Sequence, residues 1–248
     1  MSLPSVSRFH DRAADYVKYR PSYPPAAIDA ILDGLGAPSR LRAADVGAGT
    51  GISARLLADR GVHVVAVEPG DVMRGSAAPH ANVQWTAGTA EATGLRTSTF
   101  DLALCAQAFH WFRQQEALVE LARILKAGGR LAIMWNRRSM TDPLTLGYRQ
   151  AILDVGGEIA EERIAFDPAI ITRSGVFSPP ERVAFPQTHR LDLDGLIGRA
   201  RSASYVPKTG PEGERLLSRL RALHAAHADA DGFVTMIYET EIYRASKI

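Results

Sequence analysis

The stretch that decides the fold is Asp45-Val46-Gly47-Ala48-Gly49-Thr50-Gly51, and Glu68 follows 17 residues after its last glycine. The pattern predicts a strand end, a glycine-rich turn and a helix start, with the acid at the end of a second strand. Glycines let the backbone approach a ligand without a Cβ in the way. A carboxylate at that strand end can accept hydrogen bonds from both ribose hydroxyls. The layout therefore predicts a site for a ligand that carries an adenosine ribose.

The glycine spacing differs from two common nucleotide-binding loops. The dinucleotide pattern needs a third glycine three residues after the second, and Ile52 stands at that position. A Walker loop needs Gly-Lys-Ser/Thr, and no such triplet follows the turn. The observed spacing is G-x-G-x-G, with Asp45 two residues before the first glycine. The turn therefore indicates another class of adenosine ligand.

This block resembles the first motif of class I S-adenosylmethionine-dependent methyltransferases. The resemblance implies that the turn accommodates the methionine part of the cofactor and that the acid holds the ribose. Asp45 would lie near the amine, Arg20 near the carboxylate, and Tyr16 would form a hydrogen-bonding wall. A helix-capping role is equally open for Arg20. The resemblance assigns to the cofactor Tyr16, Arg20, Asp45, Gly47, Ala48, Gly49, Thr50, Glu68, Pro69, Ala90, Glu91 and Gln107.

Two of these residues belong to Gly88-Thr89-Ala90-Glu91, which resembles the adenine-contacting turn of the same family. There the Glu91 carboxylate would accept a hydrogen bond from the exocyclic amine. The alternative is that Glu91 is a negative charge at the N-terminus of a short helix. Gln107, at the end of the fourth strand, would lie near the transferring methyl group.

Two further blocks resemble a narrower branch of that family. Cys105-Ala106-Gln107-Ala108-Phe109-His110-Trp111-Phe112 is similar to the run after strand four in small-molecule methyltransferases related to trans-aconitate methyltransferase. The N-terminal pattern of that branch is matched by Phe9, Ala13, Tyr16, Arg20, Pro21, Tyr23 and Pro24. The resemblance covers residues 9–136 and implies methyl transfer from S-adenosylmethionine to a small molecule by direct displacement.

Strands and helices alternate as far as residue 135, which predicts a parallel, doubly wound sheet. With the resemblance, this gives a Rossmann-like α/β fold of seven strands, mostly parallel, with an antiparallel C-terminal strand. We expect a single domain over residues 1–248. Its parts are N-terminal lid helices (1–36), a cofactor-binding core (37–136), an insertion or cap (137–180), and C-terminal helices and edge strands (181–248).

Local patterns set the expected elements along the chain. Strands are predicted over 42–46, 63–67, 83–86, 100–106, 130–135, 181–191 and 232–243. A helix is predicted over 116–126, ended by Gly128-Gly129. Two C-terminal helices are predicted over 193–205 and 212–228.

His110 is the histidine that lies within a motif, and it is the candidate general base, since an ordinary imidazole pKa of about 6.5 suits proton abstraction. A structural, hydrogen-bonded His110 remains open, because methyl transfer to a carboxylate needs no base. Trp111, Arg137 and Tyr205 are assigned to the acceptor. Trp111 could instead stack on adenine or belong to the core, and Arg137 could pair with an acidic acceptor or be an exposed charge after a strand. The other histidines lack metal-ligand spacing, so no metal site is expected.

Composition limits the partners. The net charge is +2, with 29 basic and 27 acidic residues and no run of five basic residues, which disfavours nucleic acid. One cysteine, Cys105, fits a reducing compartment, and neither a secretory signal nor an apolar run of membrane-spanning length is seen. We expect a cytoplasmic protein with a small-molecule acceptor, without membrane or nucleic-acid partners, and with its oligomeric state open.

Three other functions stay in view. The first is a module that binds the cofactor without transferring the methyl group. The second is a nicotinamide-dependent dehydrogenase, against which Ile52 in place of a glycine argues. The third is a nucleic-acid methyltransferase, in which an Asn/Asp-Pro-Pro-aromatic block would be usual where Gln107-Ala108-Phe109-His110 stands. Carboxylate, hydroxyl, amine and carbon acceptors are all compatible with the sequence.

Overall fold

A computed structural model describes residues 19–155, 166–202, 206–207 and 209–248 of the chain. Within these residues the backbone forms a seven-stranded sheet in the order β3-β2-β1-β4-β5-β7-β6. The pairs β1–β2, β2–β3, β1–β4 and β4–β5 are parallel, whereas β7 runs antiparallel to both β5 and β6. The predicted Rossmann-like fold with one antiparallel C-terminal strand is confirmed.

The strands are β1 (Arg42–Val46), β2 (His63–Val67), β3 (Val83–Thr86), β4 (Phe100–Ala106), β5 (Leu125–Arg138), β6 (Glu181–Leu191) and β7 (Val234–Ser246). The α-helices of the described part are α1 (Pro25–Leu32), α2 (Ile52–Ala58), α3 (Asp71–Gly75), α4 (Gln114–Ile124), α5 (Pro143–Leu153), α6 (Ala169–Arg173), α7 (Leu193–Arg201) and α8 (Gly210–His227). Short 3₁₀ turns lie at Pro38–Arg40 and Phe109–Trp111.

The central strands are covered on both faces, as expected for apolar parallel strands. One core cluster packs α4 against side chains of β1, β4 and β5 such as Ala103, Cys105 and Ile133. The other packs α1 and α2 against the opposite side chains of the same strands, including Leu102 and Leu104. Alternation along the strands therefore separates the two faces of the sheet.

The parallel strands carry their carboxyl ends to one edge of the sheet. Asp45 lies next to the end of β1, Glu68 follows β2, and Gln107 follows β4. The chain leaves β1 for α2 and β4 for α4 on opposite faces of the sheet. The expected position of a ligand site is therefore at the carboxyl ends of β1 and β4.

The predicted bounds of β1, β2, β3, β4 and β6 are confirmed. The prediction around Gly128-Gly129 was wrong: α4 ends at Ile124, and β5 begins immediately at Leu125. Leu125 is buried and pairs with Phe100, and the main-chain oxygen of Gly129 accepts a hydrogen bond from the Lys247 N–H at 2.8 Å. Tertiary pairing with both β4 and the C-terminal residues therefore overrides the glycine stop signal.

The C-terminal part adds a third core. Helices α5, α7 and α8 pack with β6 and β7 around buried Tyr148, Leu196, Leu220 and Met236. Gly147 permits this packing, because a Cβ there would lie 2.6 Å from a methyl group of Leu223. Helix α7 ends at Arg201, not at residue 205 as predicted, and residues 203–205 lie outside the described part. That residues 137–180 form a cap stays a prediction.

Among the helices of the described residues, none combines the length and apolar character needed to span a bilayer.

Candidate active site

The glycine turn is held against the end of β2 by main-chain contacts. The N–H groups of Gly47 and Ala48 both donate to the carbonyl oxygen of Val67, at 2.9 and 3.1 Å. Gly47, Gly49 and Gly51 all have positive φ, at 72°, 57° and 77°. These are left-handed conformations that glycine adopts without strain. Residues with a Cβ at these positions would strain the backbone, so the glycines are needed for the conformation of the turn.

Two of the three glycines are also required by protein packing. A Cβ on Gly47 would lie 2.7 Å from the Cβ of Ala108 and 2.9 Å from the ring of Phe112. A Cβ on Gly51 would lie 2.7 Å from the ring of Trp85. At Gly49 the nearest atom is the terminal methyl of Met73 at 3.4 Å. A Cβ on Gly49 would thus make only an ordinary van der Waals contact, whereas Gly47 and Gly51 are glycines because neighbouring side chains occupy the space.

Asp45 is a fully buried carboxylate at the base of the turn. Its Oδ2 accepts a hydrogen bond from the Ser53 hydroxyl at 2.7 Å. Its Oδ1 is buried and has no hydrogen-bond partner among the described residues. Burial raises the pKa of Asp45 from its ordinary 3.8 to about 7, and the Ser53 bond opposes the rise. A cationic ligand group at Oδ1 would both satisfy this atom and favour its ionised form.

Glu68 spans the gap between the turn and the segment after β2. Its Oε2 accepts from the N–H of Gly49 and its Oε1 from the N–H of Gly70, both at 2.9 Å. Burial raises the pKa of Glu68, and these two backbone bonds oppose the rise. Each carboxylate oxygen has more than one lone pair, so both can still accept from a diol. The carboxylate is therefore fixed in place and retains the capacity that ribose recognition needs.

The third predicted part of the cofactor site is a compact turn after β3. Thr89 and Ala92 exchange main-chain hydrogen bonds of 3.2 Å, and Ala90 is buried. Glu91 Oε1 accepts from the N–H of Arg113, at 2.8 Å, immediately before α4. Glu91 itself lies in a turn, so the alternative that it begins a short helix is wrong, and it contacts the N-cap of α4 instead. The assignments of Pro69, Ala90 and Glu91 to the cofactor stay predictions.

Gln107 occupies a strained position where β4 ends. Its φ is 55°, which is uncommon for a residue with a side chain and marks a constrained site. The main-chain N–H donates to the Met134 oxygen at 2.8 Å, and the side-chain amide reaches the main-chain oxygen of Asn136 at 3.4 Å. Gln107 is thus fixed between the ends of β4 and β5.

A cavity of about 20 Å³ lies beside Gln107. Its lining residues come from the N-terminal segment, the start of α2, the ends of β4 and β5, α7 and β7; they are Arg20, Pro21, Tyr23, Ile52, Gln107, Asn136, Arg199 and Tyr238. Asn136 is buried, donates to the Ser22 oxygen at 3.0 Å and accepts from the Thr240 hydroxyl at 2.6 Å. The N-terminal segment is therefore anchored directly across the carboxyl edge of the sheet.

Two guanidinium groups border this cavity. Arg20 is half-buried and its Nη2 reaches the main-chain oxygen of Ser202 at 3.5 Å. Arg199 is 3% exposed, and its Nη1 lies 3.4 Å from the Ser202 hydroxyl. Tyr19 packs closely over Gly198, where a Cβ would lie 2.2 Å from its ring. The N-terminal segment and α7 thus bring positive charge to the same cavity.

His110 lies in the 3₁₀ turn after β4, and its Nδ1 accepts from the Trp135 indole at 3.4 Å. Trp135 belongs to the core cluster on one face of the sheet, whereas its neighbour Asn136 lines the cavity. Successive strand residues point to opposite faces, so His110 contacts the face away from Asn136. This geometry favours the structural alternative, and proton transfer by His110 stays a prediction. Trp111 is 37% exposed and lies against the His110 ring at 4.9 Å between centroids.

The remaining predicted acceptor residues are separated from the cavity or lie beyond the described chain. Arg137 forms an ion pair of 3.2 Å with Glu241 on β7 and lies 5.2 Å from the Trp135 ring. The cavity lining within the described ranges does not include it. Tyr16 and Tyr205 lie outside the described residues. Their assigned roles stay predictions.

Several residues of the site were missed from sequence. Ser53 on α2, Asn136 at the end of β5 and Tyr238 on β7 all contact the site or line the cavity. Arg199 was missed because it is one of many arginines and lies far from every motif. The signal for Ser53 was available, since a position eight residues after Asp45 falls on the first turns of the next helix. Burial of Arg199 has no such local signal.

The residues present fit S-adenosylmethionine on the cofactor side. Asp45 offers a buried, unpartnered oxygen for an ammonium group, and Glu68 offers two oxygens for a ribose. Gly49 presents its backbone without a Cβ next to the turn. No group of three or more potential metal ligands occurs among the residues described.

Comparison with known proteins identifies the family. The model of a methyltransferase domain matches residues 44–133. An uncharacterised methyltransferase of Mycobacterium tuberculosis is 34% identical, over 96% of this chain and 95% of the relative. A provisionally named type II methyltransferase of Anaeromyxobacter dehalogenans has a TM-score of 0.67 at 24% identity, covering 92% of this chain and 98% of that one.

A further solved structure has a similar fold. It is phosphoethanolamine N-methyltransferase 2 of Haemonchus contortus, in complex with phosphomonomethylethanolamine and S-adenosylhomocysteine. Its TM-score is 0.58 at 16% identity, covering 99% of this chain and 59% of that one. With the strand order and the glycine turn, these matches show that the chain belongs to the class I S-adenosylmethionine-dependent methyltransferases.

Proposed function

We propose that this enzyme transfers a methyl group from S-adenosylmethionine to a small molecule that binds at the cavity beside Gln107. The observation that carries the proposal is the enclosure of this cavity by the N-terminal segment, α7 and β7 at the carboxyl edge of the sheet. The Asn136 amide and the Gln187 amide both donate to the Ser22 oxygen, at 3.0 and 2.9 Å. A segment anchored across the edge in this way supports a small acceptor over a polymer.

The cofactor side of the proposal rests on Asp45, Glu68 and the glycine turn. Asp45 would bind the ammonium group through Oδ1, and Glu68 would accept from the ribose hydroxyls while its two backbone bonds keep it oriented. Gly47, Ala48, Gly49 and Thr50 would line the methionine part, as predicted from the motif. Tyr16 and Arg20 would complete this side from the N-terminal segment.

The bound cofactor supplies a methyl group activated by a positive sulfur leaving group. The chain's own residues then have three tasks, which are to align the acceptor, to keep water out and to stabilise charge. Gln107 is suited to alignment because strand pairing and its contact with Asn136 fix it at the edge. Orientation in a dry site provides a large part of the acceleration of a two-reactant displacement. No proton transfer by His110 is required for a carboxylate acceptor.

Calorimetric titration tests the proposal, with S-adenosylmethionine and S-adenosylhomocysteine as ligands and NAD as control. We expect micromolar dissociation constants for the first two and no binding of NAD. Product analysis with a panel of small acids, alcohols and amines should then give methylated product from at least one. Cofactor binding with methylation of a protein or nucleic acid instead of every small molecule would contradict the acceptor class. Cofactor binding without any turnover would favour a catalytically silent module.

A further inference from the structure

A buried positive charge on α7 lacks the partner that such a charge ordinarily has. Arg199 is 3% exposed, and its Nε is buried with no hydrogen-bond partner. Its contact with the Ser202 hydroxyl is long, at 3.4 Å, and no ion pair joins it to a carboxylate of the described residues. Buried guanidinium groups are ordinarily paired, because removing an ion from water is costly without compensation.

Arginines elsewhere in the described chain show the contrast. Several less buried ones form ion pairs, namely Arg60–Asp29, Arg123–Glu120, Arg137–Glu241, Arg182–Glu239, Arg190–Asp229 and Arg244–Glu181. Arg137, the sequence-based candidate for an acidic acceptor, is thus paired within the protein. The more deeply buried Arg199 faces a cavity instead. This difference is what a ligand-binding arginine requires.

The surroundings of Arg199 also favour an anion. Arg20 lines the same cavity and contacts the main-chain oxygen of Ser202, so two guanidinium groups converge there. His189 on β6 lies close enough to be affected by Arg199: burial first, and then this positive charge, lowers its pKa to about 4. His189 is therefore neutral near pH 7. The other cavity side chains are neutral, and among them Gln107 and Asn136 can donate or accept hydrogen bonds.

The position in the sheet separates Arg199 from the cofactor side. Asp45 lies near the end of β1 and Glu68 follows β2, whereas the cavity residues Asn136 and Tyr238 lie on β5 and β7, on the other side of β4. Arg199 extends from α7, which packs with β6 and β7. A planar guanidinium matches a planar carboxylate with two parallel hydrogen bonds.

We propose that Arg199 binds a carboxylate of the methyl acceptor, so that the substrate class is small organic acids. This inference rests on the proposed function and adds a residue and a chemical class to it. The cofactor also carries a carboxylate that Arg199 could bind. The experiment must therefore distinguish binding of the acceptor's carboxylate from binding of the cofactor's carboxylate.

The test uses the full chain saturated with S-adenosylhomocysteine and measures binding of succinate, citrate, succinamide and methyl phosphate by calorimetry. We expect at least one of the two acids to bind and the neutral diamide not to bind. In Arg199→Met the acid's dissociation constant should rise at least about tenfold, the usual loss for a charge-assisted pair, and Arg199→Lys should recover part of the affinity. Arg221→Met, at an exposed arginine on α8, is the control and should leave acid binding unchanged.

Two further measurements distinguish a carboxylate of the acceptor from the carboxylate of the cofactor. S-adenosylhomocysteine should bind Arg199→Met within about twofold of its affinity for the unaltered protein, and the melting temperature of the ligand-free variant should be unchanged or higher, because an uncompensated buried charge is removed. A tenfold loss of S-adenosylhomocysteine affinity would assign Arg199 to the cofactor and overturn the inference. Absence of acid binding, preference for methyl phosphate, or equal acid binding by the variant would also overturn it. Failure of the unaltered protein to bind S-adenosylhomocysteine would instead remove the proposed function itself.

Discussion

The two sides of the site are built from chain segments of very different sequence separation. On the cofactor side, Asp45, Ser53 and Glu68 lie within 24 residues of each other and contact one another or the turn between them. On the acceptor side, the cavity-lining residues that are not assigned to the cofactor run from Pro21 to Tyr238, across almost the whole chain. The cofactor side is therefore organised by one β-α-β unit, whereas the acceptor side exists only after N-terminal segment, sheet and α7 have assembled. Substitutions on the cofactor side should therefore change cofactor binding, and substitutions on the acceptor side should change acceptor binding.

The largest effect, a loss of stability, is expected from Gly47→Ala, which changes the glycine turn. The substitution combines a φ of 72° with contacts of 2.7 and 2.9 Å to Ala108 and Phe112. We expect a loss of about 2–4 kcal/mol in the free energy of unfolding. Gly94→Ala is the matched control, because its φ is 71° and nothing lies within 4 Å of the added Cβ. Chemical denaturation should show a loss of only about 1 kcal/mol there; equal losses in both variants would refute the packing role of Gly47.

The next effect is a pH dependence that belongs to the cofactor side alone. With a pKa of about 7, Asp45 is mostly protonated in the ligand-free protein below neutral pH, and an ammonium ligand favours the ionised form. S-adenosylhomocysteine affinity should rise roughly 20-fold from about pH 5.5 to about pH 7.5, as the ionised fraction does. Calorimetry across this range should show the rise in the unaltered protein and a flat profile in Asp45→Asn, together with weaker binding. A steep profile retained in Asp45→Asn would assign the dependence to another group.

The same raised pKa has a consequence for stability, with a defined sign. The folded chain retains the Asp45 proton to higher pH than the unfolded chain does. The ligand-free protein therefore loses stability as pH rises from about 4 to about 7. Asp45→Asn should remove this part of the slope in a series of denaturation curves.

Glu68→Gln should give a smaller change on the cofactor side. The amide retains one acceptor oxygen but loses the charge and places an NH₂ group near a backbone donor of Gly49 or Gly70. We expect S-adenosylhomocysteine affinity to fall about tenfold, the value of a charge-assisted hydrogen bond. Glu116→Gln, at an exposed ion pair on α4, is the control. Unaltered affinity in Glu68→Gln would disprove the ribose assignment.

His110→Ala should produce the smallest change in ligand binding. Because His110 contacts Trp135 on the face away from Asn136, we expect S-adenosylhomocysteine affinity to stay within about twofold and the free energy of unfolding to fall by about 1 kcal/mol. Binding by calorimetry and stability by denaturation check both values. A large loss of turnover with intact cofactor and acid binding would restore His110 as a general base.

The sequence predicted the fold well, for physical reasons that differ between elements. The parallel strands are short apolar runs bounded by turns, so their ends were visible in the pattern. The start of β5 was not visible, because Leu125 is extended only through its pairing with Phe100 and the contacts of Lys247. The glycine positions were predicted as well, but partly for the wrong reason: Ala108, Phe112 and Trp85 require Gly47 and Gly51.

The residues of the candidate site also differ in whether the sequence alone reveals them. Asp45 and Glu68 are recognisable because fixed spacing links them to one turn. Arg199 carries no motif, and its importance comes from burial without a partner, which only the folded chain reveals. Arg137 was the better candidate on sequence because it follows a strand, yet Glu241 on the neighbouring strand pairs with it.

A crystal structure of the complex with S-adenosylhomocysteine tests the central claim most directly, since the claim is that the two sides of the site bind different molecules. The account predicts ribose hydroxyls within hydrogen-bond distance of Glu68, the ammonium group at Asp45 Oδ1, and the Arg199 guanidinium without contact to the ligand. A ligand carboxylate bound to Arg199, or a ribose away from Glu68, would contradict it.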